Sequence, residues 1–261
     1  CFSTTQATFP TNDSAMLCPD DLSSAVKNDL IYLNYALGLE HLEYIFYRDG
    51  LQVFSVNDSI SSNFTATDYS YLELIRDHEK EHVDTLIATI EALGGTPVLA
   101  CSYEFGYGDS FEEFLRIGTL LENTGVSAYL GALPFLIDRA LVSAAGSITA
   151  VEARHASWLN YKTGQVPFPD AFDPAENMTT ILAAASGFIT SCPESNSLCY
   201  GISRDGDSVC SGHGTCSGPD LCICDPGWFG PECNCTTVCE LCMEPNLCCN
   251  DSTKGALCYD P

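Results

Sequence analysis

Along residues 20–48 apolar side chains recur at helical spacing, at Leu30, Leu33, Ala36, Leu37, Tyr44 and Tyr47, with polar residues between them. Asp20 or Asp21 can cap the start, and Asp49-Gly50 can stop the run. The result is a helix of roughly 27 residues, about 40 Å long. The same period predicts a second helix over 67–93, closed by Gly94-Gly95, and a third over 110–134 with Ser110 as its cap. A fourth spans 137–162 and ends at Gly164. No strand-like alternation interrupts them, so the pattern predicts a mainly α protein built on a four-helix bundle. The connection over 52–66 is expected to be exposed. After the fourth helix, VPFPDAFDP reads as an extended strap, because a residue before proline disfavours helix. A short apolar helix over 179–190 follows.

Cysteine content divides the chain. Only Cys1, Cys18 and Cys101 precede residue 192, whereas Cys192 and everything beyond it hold the other thirteen of sixteen. The expected units are a bundle with its N-terminal segment and strap over 1–192, a small module over 193–234 and a cysteine-rich knot over 235–261. The last two are too short to bury a core and depend on disulfides. Such cysteine usage belongs to an oxidising compartment. Six N-x-Ser/Thr sequons, at Asn12, Asn57, Asn63, Asn177, Asn234 and Asn250, agree with a secreted glycoprotein carrying N-glycans. No signal peptide is visible and the chain begins at Cys1, which reads as a processed mature form. No apolar run is long enough for a membrane span. Lys and Arg total 10 against 35 Asp and Glu, a net charge of −25, which repels nucleic acid and anionic membrane.

Candidate chemistry begins at HEKEH, 78–82, which fits the H-E-x-x-H helix motif of zinc proteases. The longer form of that motif needs glycine and histidine where Thr85 and Ala88 stand, and Glu104 is only a distant third ligand. A different unit repeats. EKEHVDTL, from Glu79, and EARHASWL, from Glu152, share E-x-x-H-x-x-x-L. The first and third helices share Leu-Glu followed by tyrosine seven residues after the glutamate, at Glu40 and Tyr47 and at Glu122 and Tyr129. The order Glu, E-x-x-H, Glu, E-x-x-H puts Glu40, Glu79, His82, Glu122, Glu152 and His155 on inward faces, since residues three apart share a helix face. Four carboxylates in a bundle centre are costly unless cations neutralise them. Two divalent metal ions do so, iron or manganese fitting oxygen-rich ligands better than zinc, with Glu79 or Glu122 as candidate bridges. Glu43, one turn after Glu40, could replace or supplement it. Tyr47 and Tyr129 either hydrogen-bond the ligands or serve as core aromatics. His41 and His78 fall off the repeat face and read as surface or supporting residues.

NYALGLEHLEYIFY, HEKEHVDTL, LLENTGVSAYLGAL and VEARHASWLNYKTGQVPFPDAFDP together resemble the ferritin-like proteins of the desiccation-related and fungal stress-response group. The resemblance covers about residues 20–192 and implies a ferritin-like four-helix bundle with a dinuclear metal centre; it implies no particular reaction. The segment from Cys199 to Cys233, ending C-x-C-x-x-G-W-x4-C, is similar to an EGF-like module. That resemblance implies the pairs Cys199–Cys216, Cys210–Cys222 and Cys224–Cys233. Cys235, Cys239, Cys242, Cys248, Cys249 and Cys258 suit a second small knot, and Cys1, Cys18, Cys101 and Cys192 remain for staples or for a bond to another subunit. Two functions follow as expectations. One is a structural component of an extracellular matrix, wall or filament, partnered by other extracellular proteins or copies of itself. The other is a secreted di-iron or di-manganese enzyme, oxidase-like or catalase-like.

Overall fold

The computed structural model describes residues 24–228, 232–234, 238–239 and 258–259. Cys1, Asn12, Cys18, Asp20, Asp21 and Asn250, and the side chains of the last six cysteines, lie outside the described residues. Four long helices dominate: α1 (Ser24–Val53), α3 (Ala66–Ala92), α4 (Phe111–Ala132) and α5 (Arg139–Lys162). Two short ones accompany them, α2 (Val56–Ser61) and α6 (Met178–Ala185). Their starts follow local chemistry. Thr65 and Asp68 form a reciprocal capping box at α3, Ser110 caps α4 through the Glu113 N–H, and Asp138 caps α5. Asp68 also accepts an ion pair from Lys162 at 2.6 Å, joining the start of α3 to the end of α5.

α1 packs along α3, α4 along α5, and α1 against α4. Apolar side chains form two main clusters. One gathers Leu42 and Phe46 of α1, Phe54 just beyond its end, Leu72 and Ile75 of α3, Phe111 to Leu121 of α4 and Leu159 of α5. The other gathers Leu30 to Leu37 of α1, Val83 to Ile90 of α3, Tyr129 of α4 and Ile148 of α5. The order in which each helix visits the clusters gives its direction: α1 and α5 run one way, α3 and α4 the other. Because α3 and α4 are parallel, residues 93–110 must return along the whole bundle. Eighteen residues reach about 60 Å when extended, against about 40 Å of helix.

That return is clamped. Its strand β1 (Ser102–Tyr103) pairs antiparallel with β2 (Ile189–Ser191), and Cys101 is disulfide-bonded to Cys192 beside them. Closing a loop of 91 residues contributes about 2–5 kcal/mol. The C-terminal module consists of β3 (Leu198–Cys199), β4 (Ile202–Ser203), β5 (Gly214–Gly218) and β6 (Leu221–Cys224), paired as two hairpins. Disulfides join Cys199–Cys216, Cys210–Cys222 and Cys224–Cys233. It sits against the bundle. Asn196 exchanges two hydrogen bonds with the Leu99 backbone at 2.7 and 2.8 Å, and Leu221 packs into the second apolar cluster. Beyond it, β7 (Val238–Cys239) pairs with β8 (Cys258–Tyr259).

Three expectations need correction. Gly50 does not stop α1, which continues to Val53; the glycine instead lets the Phe114 ring press on the helix, where a Cβ would stand 2.1 Å from its Cε2. The exposed connection over 52–66 holds α2. The apolar helix after the strap ends at Ala185, because Ile189–Ser191 is recruited by β1 as a strand. The sequon residues Asn57, Asn63, Asn177 and Asn234 are exposed.

The strap seats on α4 through the Glu176 N–H, which donates to the Ser127 carbonyl at 3.1 Å. Gly131 makes that seat possible, since a Cβ there would stand 1.8 Å from the Glu176 carbonyl oxygen. Alanine is the better helix former by about 1 kcal/mol. Gly131→Ala is nonetheless expected to destabilise the fold by about 1–3 kcal/mol, because backbone must move. Chemical denaturation measures it; a neutral or stabilising effect refutes the close approach.

Candidate metal centre

Between the two apolar clusters lies a polar layer. Each long helix contributes to it at the point where its side chains pass from one cluster to the other: Glu40 and Glu43 on α1, Glu79 and His82 on α3, Glu122 on α4, Glu152 and His155 on α5. Glu40, Glu79, Glu122 and Glu152 have no exposed surface, and Glu43, His82 and His155 are buried. The helix period predicts this convergence for the six repeat residues, and all six meet here.

Their atoms form two overlapping quartets. Glu40, Glu79, His82 and Glu152 offer ligand atoms within 4.8 Å of one another, and so do Glu79, Glu122, Glu152 and His155. The carboxylates common to both are Glu79 and Glu152, whereas Glu122 belongs to one quartet only. His82 Nδ1 lies 3.2 Å from Glu40, 3.0 Å from Glu79 and 3.0 Å from Glu152. His155 Nδ1 lies 3.0 Å from Glu79, 3.2 Å from Glu122 and 3.7 Å from Glu152. One N–H cannot serve three carboxylates. Glu79 Oε1 and both oxygens of Glu152 are buried with no hydrogen-bond partner among the described residues. The imidazoles are near enough to attract these atoms but lie off the hydrogen-bonding direction.

This donor set fits a pair of divalent cations. Four carboxylates and two cations sum to zero charge, the orphaned oxygens gain partners, and each quartet supplies one imidazole with three carboxylates. A third cluster of metal-binding residue types, Cys199, Cys210 and Cys222, consists of disulfide sulfurs and is no such site.

Two phenols brace the outer carboxylates. Tyr47 donates to Glu122 Oε1 at 2.6 Å, and Tyr129 donates to Glu40 Oε1 at 2.5 Å. Burial, followed by the charge of those glutamates, holds both phenols well above their ordinary range, so they stay donors. The spacing of seven residues that paired each glutamate with a tyrosine in the sequence thus crosses over: each tyrosine serves the glutamate of the other helix.

The two histidines off the repeat face are not surface residues. His41 is buried and its Nε2 lies 3.1 Å from the Val98 carbonyl of the return segment. His78 is half-buried and stacks on His155, with its Nδ1 3.0 Å from His155 Nε2. With His155 Nδ1 turned to the carboxylates, its Nε2–H donates to His78, the kind of contact that fixes the ring orientation of a metal ligand. Burial, then the nearby charges of His155 and His82, keeps His78 below its usual range and therefore neutral. Sequence reasoning missed this pair because His78 belongs to no repeat; only the approach of α3 to α5 reveals it. Glu104 is exposed and hydrogen-bonds the Gly106 N–H, outside the layer.

Comparison with known proteins adds four findings. The ferritin-like domain family matches residues 28–165, just over half of the chain. The EGF-like domain family matches residues 203–233. Thirty-nine residues are 38% identical to multiple epidermal growth factor-like domains protein 8 of Rattus norvegicus and of Mus musculus, a match covering 15% of this chain and 1% of those proteins. Among solved structures, a conserved hypothetical protein from Mycobacterium tuberculosis is similar at 23% identity and a TM-score of 0.42, over 57% of this chain and 99% of that one. That score is too low to support any argument.

The titrations give the metal-free protein a pH signature. Burial lowers His155, but the charge of Glu122, with those of Glu152 and Glu79 around the same ring, outweighs it and pushes it up to about 12, against an ordinary 6.5. Its contribution is complete below about pH 6.5 and is lost as pH rises toward 12. Burial raises Glu122 from 4.5 to about 7, so its contribution is likewise lost as pH rises through 7. Burial opposes Glu152, yet the charged imidazoles of His155 and His82 beside it lower it to about 2, so its contribution is present above 4.5 and lost as pH falls toward 2. Metal-free protein should therefore be most stable near pH 4.5 and weaken from there toward pH 9. Metal binding requires deprotonated ligands, so the melting-temperature gain from metal should grow with pH. Calorimetry with and without chelator measures both trends; a gain that shrinks from pH 5 to pH 8 contradicts the centre.

Proposed function

The chain belongs to the ferritin-like domain family, and on that premise we propose that it is a secreted, glycosylated metal-binding protein serving as a structural component of an extracellular matrix, wall or filament. Glu40, Glu79, His82, Glu122, Glu152 and His155 hold two divalent cations, iron or manganese in preference to zinc. The observation that supports this most strongly is the set of buried carboxylate oxygens on Glu79 and Glu152 that have no hydrogen-bond partner among the described residues. Glu79 and Glu152, common to both quartets, would help to hold both cations. Glu40 and His82 complete one site; Glu122 and His155 complete the other.

The chain's own residues do the rest of the work. Tyr129 and Tyr47 keep the outer carboxylates turned inward, and His78 holds the His155 ring. The apolar clusters above and below the layer exclude water, which strengthens every charge interaction inside it. A bound pair of such cations supplies Lewis acidity and, for iron or manganese, electron transfer.

The proposed division is a bundle unit over 1–192, an EGF-like module over 193–234 and a cysteine-rich knot over 235–261. No helix among the described residues is long and apolar enough to cross a membrane. The EGF-like module supports the assembly role: it is seated on the return segment and presents its other faces to extracellular proteins or to further copies of the chain. Disulfides and exposed sequons support secretion and N-glycosylation. A second reading, a secreted oxidase-like or catalase-like enzyme, is supported by a crevice that runs from the surface to Glu43 beside the centre.

Elemental analysis of purified protein is expected to find about two metal ions per chain. Glu152→Gln should remove both, because it serves both quartets, whereas Glu122→Gln should remove only one. Protein that takes up no metal after reconstitution rules out the centre. Oxygen and peroxide consumption, with Glu122→Ala as control, separates the enzyme from the scaffold.

A further inference from the structure

A groove of about 700 Å³ lies between α4, α5 and the strap, and none of the six ligand candidates lines it. Organic ligands occupy pockets of about 300–1,000 Å³. The lining mixes two chemistries. Trp158, Tyr161 and Phe168 supply aromatic surface, and Tyr161 and Phe168 are 66% and 77% exposed. Arg154, Asp170 and Asp173 supply charge; all three are exposed, and none has an ion pair among the described residues. Those features narrow the occupant. A wholly apolar molecule would strip water from the three charged groups and return nothing. A phosphate would meet two carboxylates against one guanidinium. A saccharide meets neither objection. One face of a pyranose ring shows only C–H groups, which suit the electron-rich face of an aromatic side chain. Its rim carries uncharged hydroxyls, which accept from a guanidinium and donate to carboxylates.

The chain itself brings a saccharide acceptor to this place. The strap lines the groove as far as Pro174. Two residues on, the Glu176 N–H donates at 3.1 Å to the carbonyl of Ser127, which is itself a lining residue. The next residue, about 3.8 Å along the backbone, is Asn177 of the sequon Asn177-Met178-Thr179. Asn177 is exposed, and its Oδ1 accepts from the Thr180 N–H at 3.0 Å as the cap of α6. That bond orients the side chain. It leaves Nδ2, the atom that carries an N-glycan, without a hydrogen-bond partner among the described residues.

We propose that the groove between α4, α5 and the strap is the seat of the N-glycan on Asn177 of the same chain, with sugar faces against Trp158 and Phe168 and sugar hydroxyls on Arg154, Asp170 and Asp173. This rests on the N-glycosylation proposed above and goes beyond it by giving one glycan a place on the fold. The seated glycan covers aromatic surface that the strap leaves open. It also ties the strap to α5, as the Glu176 hydrogen bond ties it to α4.

The test uses the full chain secreted by a eukaryotic host, with the occupancy of each sequon read by glycopeptide mass spectrometry. On native protein, peptide N-glycanase should release the Asn177 glycan about tenfold more slowly than the glycans of other occupied sequons, the effect of a glycan that is unseated about one-tenth of the time. Phe168→Ala and Arg154→Ala should each bring that rate toward the others with unchanged melting temperature. In a Trp228→Phe background Trp158 is the sole tryptophan. There Thr179→Ala, which removes the glycan and keeps the Asn177 cap, should increase acrylamide quenching of Trp158, whereas Asn63→Gln should leave it unchanged. Free N,N′-diacetylchitobiose should then restore the protection. Equal release rates at all sites overturn the seat, as does slow release that persists in both groove variants or quenching that Thr179→Ala does not change. Oligolysine or polyphosphate that protects Trp158 where the sugar fails overturns the saccharide assignment. An empty Asn177 beside occupied sequons elsewhere overturns the seat alone; glycan at no sequon overturns the glycoprotein reading with it.

Discussion

Four fully buried carboxylates, within reach of one another across two quartets, are the constraint on which the rest of this molecule depends. Like charges at such spacing in an apolar interior repel strongly, and burial alone disfavours each of them. Among the described residues, two imidazoles from the repeat and two phenols come to meet them. The consequence is an interior that protons hold together in the metal-free protein and that divalent cations could neutralise. The surroundings fit that demand: tyrosines that stay donors, a second histidine that steadies the first, and apolar clusters on both sides of the layer.

The same layer explains the architecture. It lies where each helix passes from one apolar cluster to the next, so the four helices must keep a common register. Cys101–Cys192 and the β1–β2 pairing tie the long return between α3 and α4 to the segment after α6. The C-terminal module adds a second hold on that return through Asn196 and Leu99. Disulfides outside a bundle of this size are thus placed where chain connectivity is weakest, at the long parallel crossover, while the bundle interior relies on packing.

Much of the bundle was legible because helix period and caps are local. Ser110 caps a helix where the sequence puts its start, and the caps at Thr65 and Asp138 lie within two residues of the starts expected at 67 and 137. The ends were less legible. Gly50 reads as a stop, yet its role is to let Phe114 approach, and that ring belongs to a helix more than sixty residues away in the chain. Residues 189–191 read as the tail of an apolar helix, yet strand pairing with a segment nearly ninety residues earlier overrides that local preference.

Repetition of Glu and E-x-x-H in the sequence by itself determined which six side chains face inward, because residues three and four apart on a helix must share a face whatever surrounds them. Cysteine density likewise marked the disulfide-held region. The tertiary structure alone decided how those six divide. Glu79 and Glu152, on α3 and α5, fall into both quartets, and Tyr47 and Tyr129 each serve the glutamate of the opposite helix. It also placed His78 on His155 and left Glu43 facing a crevice beneath α6. These relations depend on distances between helices, and helix periodicity carries no information about which neighbour a face will meet.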